Sequence, residues 1–412
     1  VKVLHILNHS VPHTDGYCIR SANIVRFQKE LGWYPVVVTS PRHEPIPSGE
    51  VEVIDGVRYY RTPKGVIGVR AIREILAIRR LKATITRAVE AERPDVVHSH
   101  SPCTWTFAAG AVARRYSIPF VYEVRGIWED SAVDQGRLAD ERSWRYRLRR
   151  WLETTAMRRA SRVATISEGL ATEIEARGVR RPVVVPNGVD SLRFCDDGTV
   201  QSGGRSTVVA RAPRIGYIGS LYAWEGVEDL VRAAGILRER VPGIQIHIIG
   251  GGERHDAIEK MIDELSLKDT VRLIGAIAHE KIKTAYDELD VLVYPRRASR
   301  VTQLVTPLKP LEAMALGKAI VISDVGGLRE LCHVDTAAVF SAGDSVDLAA
   351  KCIALLDRDD ERYAMGVRAR EHVRRNRDWR VVIQRYRDLY EGVVGAREWD
   401  AALPVRSTVR IG

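Results

Sequence analysis

Short runs of β-branched and apolar residues alternate with longer amphipathic stretches along most of the chain. The runs predict strands at Val3–Leu7, Pro35–Thr39, Val57–Arg61, Asp95–His98, Pro119–Val124, Arg162–Ile166 and Val183–Val185. A second set follows at Arg214–Ile218, Ile244–Ile249, Val271–Ile274, Val291–Tyr294, Ala319–Ile322 and Ala337–Phe340. Near-continuous apolar strands separated by helices mark parallel sheets covered on both faces. The alternation lapses between Asp190 and Ala212, where Gly, Ser and Asp accumulate. The chain therefore divides into two doubly wound α/β halves, residues 1–190 and 212–377, joined by a linker at 191–211. A last amphipathic segment, 378–393, is expected to pack back on the first half, and 397–412 reads as a loose tail. Ligands of such sheets bind beyond the carboxyl ends of the strands, so two facing halves imply a cleft.

Size and composition fit this picture. A chain of 412 residues exceeds one ordinary core, and 45% hydrophobic with 28% charged residues is a globular balance. There is no apolar run of 18 residues, so no transmembrane helix is expected. The opening VKVLHILNHS reads as a first buried strand rather than a signal peptide. Five scattered cysteines without C-x-x-C spacing suit reduced thiols in a cytoplasmic protein and argue against a cysteine metal site.

A net charge of +10 demands an anionic partner, for which nucleic acid, anionic lipid and phosphorylated small molecules all qualify. The excess is uneven. Residues 137–162 hold nine arginines against Asp140, Glu141 and Glu153, and Trp144, Leu148, Trp151, Leu152 and Thr155 share one helix face. Such a helix either rests on an anionic membrane or packs on the core with its arginines solvated. Arg70 to Arg93, with seven basic and three acidic residues, adds weight to a membrane surface.

The richest stretch runs from Tyr294 to Glu330. It reads as a buried strand, a basic loop, a short helix opened by prolines, a second buried strand and a Gly-Gly turn into another helix. Arg296, Arg297, Arg300 and Lys309 lie in the loop, and Glu312 shares a helix face with Lys309. Cations beside one carboxylate at a helix start suit a sugar nucleotide, with the diphosphate on the cations and the ribose hydroxyls on the carboxylate. The plainer alternative is a basic exposed loop in which Glu312 completes a helix start. No G-x-G-x-x-G follows a strand and no P-loop exists, against a dinucleotide oxidoreductase. Gly250, Gly251 and Gly252 end a strand, as a weak phosphate loop or as a tight turn.

Other candidates sit at strand ends. Gly16, after the first strand, lets backbone approach a ligand, and Arg20 follows it. His98 and His100 close the strand DVVHSH on one side of an extended chain, with His100 the stronger candidate and no third metal ligand evident nearby. Arg125, Trp128, Glu129 and Asp130 follow PFVYEV and suit an acceptor pocket or a helix cap. Asp357-x-Asp359 lies between two polar helices and reads better as a capping loop than as a metal clamp.

Together these pieces resemble a family 4 glycosyltransferase of the GT-B architecture, over nearly the whole chain. The resemblance rests on Gly16, PDVVHSHSP at 94–102, VPNGVD at 185–190, YIGSLYAWEGVEDLVRA at 217–233 and LEAMALGKAIVISDVGGLREL at 311–331. Within the family, NHSVPHTDGYCIRS, VVVTSPRH, VYEVRGIWEDSAVD and VTPLKPLEAMA are most similar to the group found in exosortase and exopolysaccharide gene clusters. The resemblance implies transfer of a sugar from a nucleoside diphosphate sugar, UDP- or GDP-linked, to a hydroxyl. It implies retained anomeric configuration and neither bound metal nor cofactor. His100 matches the family's active-site histidine and Glu312 the ribose-binding carboxylate of its E-x7-E motif.

Three departures stand out. Leu304 replaces the first carboxylate of that motif. Gly219-Ser220-Leu221…Glu225-Gly226 replaces G-R-L…K-G, so both family cations are missing. The loop before Glu312 is long and basic. Arg296, Arg300 and Lys309 are therefore expected to replace the lost cations, with Gly16, Arg20, Gly219 and Ser220 completing the diphosphate site. Ile277, Pro307, Leu308 and Glu312 are assigned to the nucleoside. His100, Arg125 and Glu129 are the catalytic candidates, and His98, Trp128 and Asp130 face the acceptor. That acceptor is a saccharide or polyprenyl-linked saccharide, which suits a protein at the inner membrane face and leaves no role for nucleic acid. The alternatives are a nucleotide-sugar epimerase or phosphorylase, or a basic lipid- or nucleic-acid-binding protein without catalysis.

Overall fold

The computed structural model describes residues 1–44, 51–64, 70–194, 211–278 and 281–395. The linker 195–210 and the tail 397–412 lie outside them. Eight strands form the first sheet: β1 Lys2–Leu7, β2 Tyr34–Thr39, β3 Val51–Ile54, β4 Val57–Arg61, β5 Val96–His100, β6 Phe120–Val124, β7 Arg162–Thr165 and β8 Val183–Val184. Their order is β3-β4-β2-β1-β5-β6-β7-β8, parallel except for the β3–β4 hairpin. Six parallel strands form the second sheet: β9 Arg214–Ile218, β10 Gln245–Ile249, β11 Val271–Gly275, β12 Val291–Tyr294, β13 Ala319–Ser323 and β14 Ala338–Phe340. Their order is β11-β10-β9-β12-β13-β14. The topology is that of two Rossmann-like domains, a GT-B fold.

Both sheets are covered on two faces, which is why their strands read as unbroken apolar runs. In the first domain Leu4 and Ile6 pack under the helices Arg70–Glu92, Cys103–Arg115 and Trp144–Arg159. Val3, Val96, Val121 and Ala164 face the other way, against Ile24 and Phe27 of the helix Gly16–Glu30. The same cluster takes Trp379, Tyr386, Leu389 and Tyr390 from the helices Trp379–Val382 and Arg385–Val394. The chain thus crosses between domains twice, and the crossings are joined: Val189 N donates to Arg377 O and Trp379 N to Val189 O.

Four sequence readings change here. The edge strand β3 was missed, because VEVI is short and half exposed. The strand DVVHSH continues to His100 instead of stopping at His98. Part of the basic loop is a helix, Arg300–Leu304, whose Ser299 and Thr302 form a reciprocal capping box. The helix Trp144–Arg159 buries Tyr146, Glu153, Ala156 and Met157, leaving Trp144, Leu148 and Trp151 in solvent. The helix does pack on the core with its arginines solvated, as the plainer alternative expects, and Leu152 of the stripe joins that packing, but Trp144, Leu148 and Trp151 do not.

The inserted helix Arg300–Leu304 also braces the two domains. Ser299 Oγ donates to Asp134 at 2.7 Å, and Ser167 Oγ donates to Leu304 O at 2.5 Å. Glu330 accepts from the backbone of Glu168 and Gly169, at the start of a first-domain helix.

Candidate active site

A cleft of about 450 Å³ lies where the carboxyl ends of the two sheets face each other. A hollow of about 630 Å³ continues past Leu308 and Glu312 beside the helix Gly16–Glu30. The smaller cleft is the better site, because it sits at the strand ends and gathers the cations.

One wall belongs to the second domain. After β9 the chain turns through Gly219 and Ser220. A Cβ at Gly219 would fall 2.5 Å from the Tyr217 hydroxyl, and one at Gly250 1.7 Å from Gly219 O. Gly250, and Gly252 against Leu221 O, thus serve backbone packing, and none of the three glycines lines this cleft. Gly226 adopts φ of 65° against Pro295 O, bringing Glu225 beside Arg296. Arg296 Nε stands 3.4 Å from Glu225 Oε1, and its Nη1 donates to Val305 O at 2.9 Å. Lys309 Nζ lies 3.1 Å from Glu312 Oε2, which also accepts from Tyr286 OH at 3.2 Å. Two cations thus stand on this wall, Lys309 beside Glu312 and Arg296 beside Glu225 and Val305 O.

The first domain supplies the opposite wall. Asp15 caps the helix Gly16–Glu30 by accepting from Cys18 N, and a Cβ added at Gly16 would meet Leu308 across the gap at 3.4 Å. Arg125 and Trp128 follow β6 on the same wall. Arg125 donates to Glu123 Oε1 at 2.8 Å, Tyr17 O at 3.1 Å, Ser21 Oγ at 2.7 Å and His100 Nδ1 at 2.7 Å.

Behind Arg125 lies a buried polar network whose protons can be placed. An arginine only donates, so His100 Nδ1 accepts and its proton sits on Nε2, 3.0 Å from His5 Nδ1. His5 then donates from Nε2 to Gln28 Oε1 at 2.8 Å. The Gln28 amide donates to Tyr390 OH at 3.2 Å, and Tyr390 donates to His98 Nδ1 at 2.7 Å. His98 Nε2 is left facing Glu123 Oε2 at 3.7 Å, and Glu123 also accepts from Tyr386 OH. Burial pushes all three imidazoles down, His5 to about 4 and His98 and His100 well below the ordinary value. Burial would raise Glu123, but Arg20 and Arg125 outweigh it and hold the carboxyl well below its usual range. His5, His98 and His100 offer nitrogens close enough to meet at a metal. Their rings are instead stacked or tilted, 4.2–5.3 Å apart, beside two guanidiniums, so the nitrogens lie side by side in hydrogen bonds.

Of the residues singled out by sequence, Gly16, Arg20, Arg125, Trp128, Gly219, Ser220, Arg296, Pro307, Leu308, Lys309 and Glu312 line the cleft. Arg20 nevertheless needs correcting as a diphosphate ligand. Its donors meet Glu123, Pro186 O, Asn187 Oδ1, Val185 O and Tyr386 OH, which occupies all five. Arg300 needs the same correction, because it lies outside the cleft and reaches Asp130 at 3.0 Å and Glu173 at 3.2 Å in the first domain. Glu129 is fully buried and paired with Arg177 at 2.7 Å, and Asp130 is held by Tyr146 OH and Arg300. Both follow Trp128 on a helix, where turning about 100° per residue carries them off the cleft face. His98 and His100 are sealed in the network, which makes them positioning residues here rather than groups at the cleft surface. Ile277 packs against the second-domain core.

Sequence reasoning saw Glu225 only as a lost cation, and it missed Tyr217, Trp224 and Thr306 on the cleft wall and Glu123, Tyr386 and Tyr390 behind it. Only Glu123 left a local trace, as a carboxylate inside the apolar strand FVYEV. Asp357 and Asp359 do flank the start of a helix, where Asp359 pairs with Arg362 at 2.8 Å.

Comparison with known proteins agrees with this geometry. A "glycosyl transferase 4-like domain" model matches residues 16–188, and a "glycosyl transferases group 1" model matches 212–358. A GDP-mannose-dependent alpha-mannosyltransferase of Mycobacterium tuberculosis is 25% identical over 98% of this chain and 99% of its own. A glycogen synthase of the same organism is 27% identical over 76% and 72%. Among solved structures, sucrose-phosphate synthase from Thermosynechococcus elongatus superposes with a TM-score of 0.73 at 19% identity, over 95% and 98% of the chains. Anabaena HepE in complex with UDP gives 0.69 at 17%, over 94% and 99%. With one such model on each domain and a shared two-domain fold, the chain belongs to the family 4 glycosyltransferases.

Proposed function

We propose that this glycosyltransferase moves a sugar from a UDP- or GDP-linked donor to a saccharide or polyprenyl-linked saccharide, with retention, in exopolysaccharide or other glycoconjugate assembly. The observation that carries the reading is the pairing of Arg296 with Glu225 and of Lys309 with Glu312 on one cleft wall. A diphosphate entering there exchanges a carboxylate neighbour for phosphate oxygens, and charge-assisted contacts of this kind contribute about 1.5–3 kcal/mol each. Once Lys309 turns to the diphosphate, Glu312 is free to accept from the ribose hydroxyls.

Retention rests on the family resemblance, and the cleft argues against a covalent route to it. Its lining carboxylates are Asp15, Glu225 and Glu312. Asp15 caps a helix and pairs with His9, and the others hold cations, so none stands ready as the nucleophile of a double displacement. The reading is front-face substitution. The anomeric bond to the diphosphate breaks while the acceptor oxygen adds on the same face, and the acceptor proton passes to the departing phosphate. Arg296 and Lys309 meet the developing charge, which makes the reaction independent of added metal. The mannosyltransferase relative uses GDP-mannose and HepE holds UDP, which supports one of these two bases.

Calorimetry with UDP, GDP, ADP and TDP tests the site, and NMR of the transfer product reads its anomeric configuration. Binding of one nucleotide and a retained configuration are expected, with or without EDTA. Silence to all four nucleotides, or an inverted product, overturns the proposal.

A further inference from the structure

The helix Trp144–Arg159 carries an exposed apolar stripe that none of the described residues covers. Trp144, Leu148 and Trp151 are 68%, 44% and 61% exposed, and their spacing puts them in one row over about two turns. Arginines flank the row. Arg142, Arg145, Arg147, Arg149 and Arg159 are exposed, and none has a carboxylate partner among the described residues. The neighbouring acids are engaged, since Asp140 accepts from the backbone of Arg142 and Ser143, and Glu141 leans toward Arg300.

The opposite side of this helix is fixed to the protein through Tyr146, Glu153, Ala156 and Met157, so the stripe is held outward. Indole and leucine projecting between unpaired guanidiniums match the boundary between lipid headgroups and acyl chains. A nucleic-acid strand would satisfy the arginines and stack on the indoles but leave Leu148 in water. A protein partner would leave the unpaired cations without anions unless it were strongly acidic.

We propose that this helix is a docking foot for an anionic bilayer. Its position deepens the acceptor assignment, and that part rests on the proposed function. Tyr146 on its inner side donates to Asp130 at 2.6 Å, on the short helix whose first residue, Trp128, lines the cleft. Docking through Trp144 and Trp151 therefore sets the membrane surface beside the acceptor wall, where a lipid-linked saccharide would arrive.

Flotation of the full chain with vesicles tests the docking without requiring activity. Binding to phosphatidylcholine containing 30% phosphatidylglycerol, and none to pure phosphatidylcholine, is expected from charge complementarity. The double variant W144A/W151A should lower the partition by about ten-fold or more, while its thermal unfolding and its nucleotide binding stay those of the parent. Arg147→Gln and Arg149→Gln should each lower it by about five-fold. Equal binding to neutral vesicles overturns the proposal, as does an unchanged partition of either set of variants. So does tighter binding to single-stranded oligonucleotides that the same Trp substitutions abolish. None of these outcomes touches the donor site, so failure of the docking surface and failure of the transferase reading are separable.

Discussion

The two walls of the cleft hold their positive charge in opposite ways. On the first-domain wall Arg20 and Arg125 converge on Glu123, and Arg20 has all five donors engaged in a buried network. On the second-domain wall Lys309, its side chain 28% exposed, leans on Glu312 alone, while buried Arg296 adds a hydrogen bond to Val305 O to its pairing with Glu225. A guanidinium with every partner in place supports geometry, whereas a cation with one replaceable neighbour can accept a ligand. Total charge is a poor guide to where a phosphate will bind, and the occupancy of the donors is a better one.

That contrast is open to attack. Arg20→Met should cost about 3–5 kcal/mol of stability, because it strips a buried carboxylate of one partner. Urea melts would measure the loss, and nucleotide affinity in the surviving folded fraction should hold. Acid should act on the same wall. Between pH 6.5 and about 4 the unfolded chain binds protons that folded His5 refuses, so stability falls as pH falls through that window. His5 alone accounts for about 3 kcal/mol, with His98 and His100 acting in the same direction. Thermal melts across the window, repeated on His5→Gln, would reveal a flatter profile in the variant.

The second wall should respond in affinity rather than stability. Lys309→Ala should weaken nucleotide binding by about 1.5–3 kcal/mol, read by calorimetry, with little change in melting. The smallest effect belongs to Arg300→Ala. That half-exposed residue braces the domains, so its loss should cost about 1 kcal/mol or less and leave nucleotide affinity intact. A drop in affinity like that of Lys309→Ala would return Arg300 to the donor site.

What was legible in the sequence was local. Strands β4, β9 and β12 stand where their apolar runs predict them, because a strand buried on both faces writes itself into consecutive residues. Lys309 and Glu312 were paired correctly for the same reason, being three residues apart on one helix. Arg20 was misassigned because its partners, Glu123 and Tyr386, lie 103 and 366 residues away, beyond any periodicity argument. Arg300 was misread because its acids, Asp130 and Glu173, belong to the other domain. The row Trp144, Leu148, Trp151 was visible as a stripe, but which way it faced depended on the depth of Tyr146 and Met157.

The return of Trp379, Tyr386 and Tyr390 to the first sheet has a practical corollary. Cutting the chain at its apparent linker would not yield a free-standing amino-terminal half, since the excised piece would lack one side of its own interior. A workable half-molecule would have to be spliced from two stretches, residues 1–190 joined to 378–394.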